Sequence, residues 1–242
     1  MRLAWTYTRA QTLELLRYPS FSVPTMIMPA IVFAVIGARR IHAPANLVLV
    51  SYVAFAILGV AFFQFGVGVA AERVSPWHSY LRTLSAPTLT RFSGRIFSGL
   101  FFGLASGAVV AVLAVATTDV HLSAIRWGEI TGVLVLGAVP FALLGIAIGY
   151  WMTPKGALPA ANLLYFAFAY LGGLLGASVT GTGLTGTIQR YIPTHAWLSL
   201  LATAAGQHRF SISDLAALVA FTVFCGLLAT VGYRRDEGQR FR

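Results

Sequence analysis

Glu72, Arg73, Arg82, Arg91 and Arg95 stand at intervals between Trp77, Tyr80, Leu81 and Leu84, in the largest charged island of an otherwise apolar sequence. Cations interleaved with aromatic and leucine side chains can do two kinds of work. They can anchor a protein partner, with Trp, Tyr and Arg filling its pockets. They can also hold anionic lipid headgroups, at about 1 kcal/mol for each Lys or Arg near the surface. The residue types alone support either.

Other chemistries need constellations that the sequence does not supply. A phosphate-binding loop needs glycine directly before its lysine and Ser or Thr directly after, whereas Lys155 is flanked by Pro154 and Gly156. No nucleotide site or other cofactor is therefore expected on this chain. The single cysteine, Cys225, lies inside an apolar run, which leaves neither a disulfide nor a paired thiolate metal site. His195 has no second ligand at metal spacing and reads as an interfacial residue. A membrane-embedded protease or headgroup transferase needs a nucleophile with its base, or carboxylates on a metal, near the membrane plane. The seven acids, Glu14, Glu72, Asp119, Glu129, Asp214, Asp236 and Glu237, lie outside the apolar runs or at their edges.

The elements that position these residues follow from composition. With 57% hydrophobic and 10% charged residues and a mean hydropathy of +0.78, the charges gather in short islands between apolar runs of about 20 residues, the length of a membrane-crossing helix. The fold expected is an all-α integral membrane protein, with residues 1–242 forming one transmembrane domain. A net charge of +10 would suggest nucleic acid in a soluble protein; here it has to be divided by membrane side, and no nucleic-acid partner is expected.

Residues 1–17 mix Arg2, Arg9, Glu14 and Arg17 with Leu3, Trp5 and Tyr7 and read as a helix lying in the lipid interface, a frayed leader being the alternative. Six spans are predicted, over about 18–38, 47–70, 96–117, 130–152, 157–179 and 215–233. Pro19, Pro24 and Pro29 place the start of the first after Pro19 or Pro24 and a bend near Pro29. Gln64 is the one amide of the second span and needs a partner or a wet cavity. Gly99, Gly103 and Gly107 give the third a small-residue face for packing within the subunit or, second, against another copy. Asp119, His121, Arg126 and Glu129 read as a polar loop, and Tyr150 and Trp151 as an interfacial belt. After the fifth span come a glycine-rich turn and a short helix, about 193–205, that re-enters the membrane or lies on its surface. Ser213 and Asp214 then open the last span.

Six spans put both termini on one side. If that side is cytoplasmic it holds Arg2, Arg9, Arg17, Arg73, Arg82, Arg91, Arg95, Lys155, Arg234, Arg235, Arg240 and Arg242, twelve of the 17 Lys and Arg. The other side holds Arg39, Arg40, Arg126, Arg190 and Arg209. The positive-inside bias therefore places the termini and residues 72–95 in the cytoplasm.

An interfacial N-terminal helix, six spans, a cytoplasmic connection after the second and a short helix before the last resemble the type-2 permeases of ATP-binding cassette exporters. In that family the connection runs from an acidic and basic start through Gly-Thr, Leu and Pro to basic positions. Glu72, Arg73, Leu81, Leu84, Pro87, Arg91 and Gly94 fall in that order, with residues 75–79 in place of the Gly-Thr. The resemblance covers nearly the whole chain and is carried by the ordered set rather than by any one residue.

It implies that Glu72, Arg73, Trp77, Leu81, Arg82, Leu84, Pro87 and Arg91 belong to a coupling segment docked on a separate ATP-binding subunit, which holds the ATP and magnesium. It implies a second permease subunit, identical or related, and a bacterial plasma membrane. With few charges in the spans, the path suits an apolar or amphiphilic compound, and Phe62, Gln64, Tyr165 and Phe168 are candidates to line it, packing being the plainer role for each. An ion-gradient-driven carrier is the alternative, although no carboxylate stands beside Pro29 or Pro140 to bind a coupling ion.

Overall fold

In hydrocarbon every backbone polar group must be satisfied within its own segment, so apolar runs of this length fold as helices. The computed structural model describes residues 9, 12–13, 19–39, 43–75, 88–176, 178–179 and 183–239, and contains helices and no strand among them. We label these α1 (Pro19–Val32, running on as wide π turns over Phe33–Gly37), α2 (Ala45–Arg73), α3 (Thr88–Thr117), α4 (Ala124–Trp151), α5 (Pro154–Leu171), α6 (Gly183–Gln189), α7 (Pro193–Ala204) and α8 (Ile212–Gln239).

Among the described residues four helical segments are long and apolar enough to cross a membrane: α2, Ile96–Thr117 of α3, α4, and Ile212–Asp236 of α8. The other two expected spans are shorter or more polar. Among the described residues the apolar helix of the first is Thr25–Gly37. The fifth, α5, carries Lys155, Pro159 and Asn162 within its 18 residues.

Helix α2 is the axis of the bundle. Its side chains from Leu47 to Phe62 are all buried, as expected of a helix apolar on every face. Over Ala61–Val67 it widens into π turns, which spread its inward face so that Ala61, Phe62, Gln64, Phe65 and Gly66 are buried within seven residues. Helices α3, α4 and α5 pack around it, and α8 packs on α4. Val112 of α3, Leu163 of α5 and Leu227 of α8 remain exposed, forming apolar outer faces suited to lipid.

The close contacts depend on small residues. A Cβ on Gly145 would lie 2.3 Å from the Ala61 carbonyl oxygen, so α4 and α2 meet backbone to backbone. The glycine face of α3 is spent inside the subunit, since a Cβ on Gly99 would strike the Phe65 ring at 2.3 Å and one on Gly107 would meet Val53 at 2.9 Å. In α1 the helix already includes Pro19 and Pro24 rather than starting after them. Proline 29 has no N–H for the carbonyl of Thr25, and that carbonyl accepts from the Ser106 hydroxyl of α3 at 3.3 Å.

Several expected boundaries move for local reasons. Helix α4 begins at Ala124, because Ser123 caps it by accepting from the Arg126 N–H at 3.4 Å; Arg126 and Glu129 are thus helical, not loop. Helix α5 stops at Leu171, eight residues before the expected limit. Gly172 ends it and Gly173 follows at φ +87°, a left-handed turn open to glycine. Part of the expected glycine-rich turn is helical, forming α6. Helix α8 starts one residue before Ser213, with the Ser211 hydroxyl accepting from the Asp214 N–H at 3.4 Å. The short helix α7 packs into the bundle: Thr194, residues 196–202 and Ala204 are buried against α2, α4, α5 and α8.

Candidate functional site

The last carbonyls of a helix have no N–H partner within it and carry its partial negative charge. At the end of α4 those carbonyls meet Arg73, the final residue of α2 and the root of the connection to α3. Its Nη1 donates to the carbonyl of Gly149 at 2.7 Å and to that of Tyr150. Its Nε lies 3.1 Å from Oδ1 of Asp236 on α8. The guanidinium sits 5.7 Å from the centre of the Tyr150 ring, and that ring packs edge-on against Tyr233 at 5.5 Å.

One planar group with five donors thus ties three helices together. The two charged side chains keep 17% and 9% of their exposure, so their attraction is less screened than at a free surface. Beside them Arg235 lies 5.3 Å above the Trp151 ring, whose Nε1 donates to the Leu228 carbonyl at 3.1 Å. Glu72 is exposed next to Arg73. Of the remaining candidate interface residues, Trp77, Leu81, Arg82, Leu84 and Pro87 lie outside the described residues, as does the Arg91 side chain. They belong to the connection that leaves Arg73 and returns as α3.

The four candidate path residues fall into two places. Phe62 stacks on Phe168 at 6.0 Å. Tyr165 stacks on Phe55 at 4.7 Å and donates its hydroxyl to the Phe55 carbonyl at 3.3 Å. Phe62 and Tyr165 are buried and Phe168 is half-buried, so α2 and α5 close on each other through these rings. Gln64 points elsewhere: its Nε2 donates to Ser98 Oγ of α3 at 3.4 Å, and the same oxygen accepts from Thr12. None of the four lines the apolar cavity of about 90 Å³ between α2, α3 and α4, which is walled by residues such as Ile57, Phe65, Gly99, Leu104 and Val139.

The opposite end of α4 carries a second arginine cap. Arg126 donates to the Ala204 carbonyl at 3.0 Å, at the C-terminus of α7. The turn after α7 closes with the Gln207 N–H on Ala202 at 2.8 Å and the Gly206 N–H on Thr203 at 2.9 Å. This needs the φ of +76° at Gly206. Thr194 donates to the Phe168 carbonyl at 2.6 Å and Trp197 Nε1 to the Val133 carbonyl at 3.1 Å. Nearby, Asn46 exchanges hydrogen bonds of 3.2 Å with the backbone of His121. His195, at the start of α7, is half-buried. Burial pushes its pKa down, Asp214 opposes this, and His208 and Arg190 add to it.

The roles of Asp236 and Arg126 are not apparent in sequence order. The available signal was a charge placed within one turn of the end of an apolar run, where helix termini present unpaired groups.

No protein-family model matches the chain. It is similar to the Bacillus subtilis (strain 168) protein named "Putative transport permease YvfS", with 23% identity over 190 residues, covering 78% of this chain and 77% of that one.

Proposed function

We propose that this chain is the membrane-spanning permease subunit of an ATP-driven exporter of the ATP-binding cassette type, for an apolar or amphiphilic compound. The observation that carries this reading is the likeness to a transport permease over 78% of the chain. The order of elements supports it: two long helices, α2 and α3, joined by the charged and aromatic connection, with a short buried helix before the last long one.

In this reading the six expected spans are α1 to α5 and α8, both termini face the cytoplasm of a bacterial cell, and the chain sits in the plasma membrane. The connection docks on a separate subunit that binds ATP and magnesium. A second permease subunit, identical or related, completes the path. Binding of ATP between two motor subunits draws their connections together and switches access from one side to the other. Phe62, Tyr165 and Phe168 then form a closed seam that parts when α5 moves from α2, with Gln64 holding α3.

The test is flux. Inside-out vesicles containing the chain and its co-expressed ATP-binding subunit are mixed with a panel of fluorescent amphiphiles. Uptake that needs hydrolysable ATP and survives collapse of proton and sodium gradients is the expected result. Uptake without ATP that disappears with the ion gradient would replace the exporter with a secondary carrier.

A further inference from the structure

We propose that Asp236, acting through Arg73, is a positioning residue for coupling: the pair sets the root of the connection after α2 on the ends of α4 and α8, so that a push on the connection reaches both helices. The proposal rests on the exporter reading and adds to it a role for two residues that face into the bundle. Arg73 is the last residue of α2, and the chain turns immediately after it, with the Ser75 N–H on the Glu72 carbonyl at 3.0 Å. Any force on the connection therefore arrives first at Arg73.

From there the force has two outlets of different kinds. The Gly149 and Tyr150 carbonyls are backbone atoms of α4 in a region where α2 and α4 are in backbone contact, a Cβ on Gly149 lying 3.0 Å from the Gly66 carbonyl oxygen. The link to α8 is the carboxylate of Asp236 at 3.1 Å, a charge contact that a side-chain change can remove without touching the backbone. Arg73 keeps its bonds to α4 when the carboxylate is neutralised. Asp236→Asn therefore removes the charge on α8 alone, and its thermal stability is read beside its transport.

A well-packed apolar pair of similar volume would serve stability as well as or better than a buried ion pair. What the ion pair adds is a charge attraction between the ends of α2 and α8, less screened than at a free surface. The two helices it joins to α2 are α4 and α8, and both also pack on the buried helix α7 at the far end. Movement at Arg73 thus has a solid route across the bundle.

The experiment compares the parent with Asp236→Asn, Asp236→Glu and Arg73→Lys, each purified with its ATP-binding subunit in lipid nanodiscs or vesicles. For Asp236→Asn the expected result is normal assembly and ATP hydrolysis with transport per ATP lowered about tenfold, within the range of coupling between distant sites. Asp236→Glu should recover part of that loss, and Arg73→Lys, whose single nitrogen cannot stand at the Nη1 and Nε positions at once, should fall with Asn. Parent-like transport per ATP in Asp236→Asn would overturn the proposal. So would parallel loss of thermal stability, hydrolysis and transport, which is what a merely structural bond gives. If the parent itself recruits no ATP-hydrolysing subunit, the exporter reading fails and the positioning role is read by hydrogen exchange on the chain alone. Faster exchange at residues 72–75 and 148–152 in Asp236→Asn, with residues 200–207 unchanged, supports it, and unchanged exchange at 72–75 overturns it.

Discussion

The two ends of α4 are held by the same chemistry used for different purposes. At one end Arg126, in the first turn of α4, caps α7 through one carbonyl, and the rest of that corner is fixed by neutral hydrogen bonds and a buried indole. At the other, Arg73 reaches two carbonyls of α4, a carboxylate of α8 and an aromatic face. The Arg126 end is fixed by contacts that either form or do not. The Arg73 end is held by an orientable charge pair, at the point where the chain departs toward residues 76–87. The contrast separates a corner built to stay still from one built to pass on movement.

The largest expected effect is at Arg73. Arg73→Ala leaves the Asp236 carboxylate without its guanidinium, a loss of about 3–5 kcal/mol for a buried pair broken from one side. Reversible unfolding in detergent should show it. Arg126→Ala should cost less, about 1–2 kcal/mol, because it removes one charged cap at a helix C-terminus and leaves no carboxylate stranded. Hydrogen exchange should confine that loss to α7. Equal costs at the two arginines would erase the distinction between the ends.

Trp197→Phe sharpens the Arg126 end further. It keeps an aromatic ring beside Phe141 but loses the bond to the Val133 carbonyl and leaves a cavity where the fully buried indole was, for about 1–3 kcal/mol, additive with Arg73→Ala because the two sites share no partner. The smallest effect is one of pH. With the pKa of His195 lowered in the folded chain, mainly by burial, the unfolded chain binds the proton more readily. Stability is then complete above the ordinary histidine value of about 6.5 and falls as pH drops below it. His195→Gln should flatten that slope in pH-dependent melting.

Much of this arrangement was legible in residue types. The apolar runs announced α2, α3, α4 and α8, and Pro193 placed α7 to within a residue, because proline is favoured at a first helical position. The ends of other helices were less legible. Gly172 and Gly173 stop α5 early, but glycines inside an apolar run also read as packing positions, as Gly145 is. Burial of α7 could not be read, since its length is short of a span and its partners are dispersed through the chain. The pairing of Arg73 with Asp236 was hidden for the same reason: each stands at the edge of its own run, and both look like interfacial charges until the helices are assembled. Arg73 read as one more residue of the docking segment, and its bonds to the α4 carbonyls were not legible beside that reading.

The central claim is that residues 72–95 receive a motor. The direct measurement is co-purification of the tagged chain in mild detergent with its membrane partners, followed by mass spectrometry and an ATPase assay, beside the double variant Arg82→Glu and Arg91→Glu. An ATP-binding subunit should accompany the parent and be lost from the charge-reversed variant at equal membrane insertion. A folded, inserted parent that brings no ATPase with it would contradict the account.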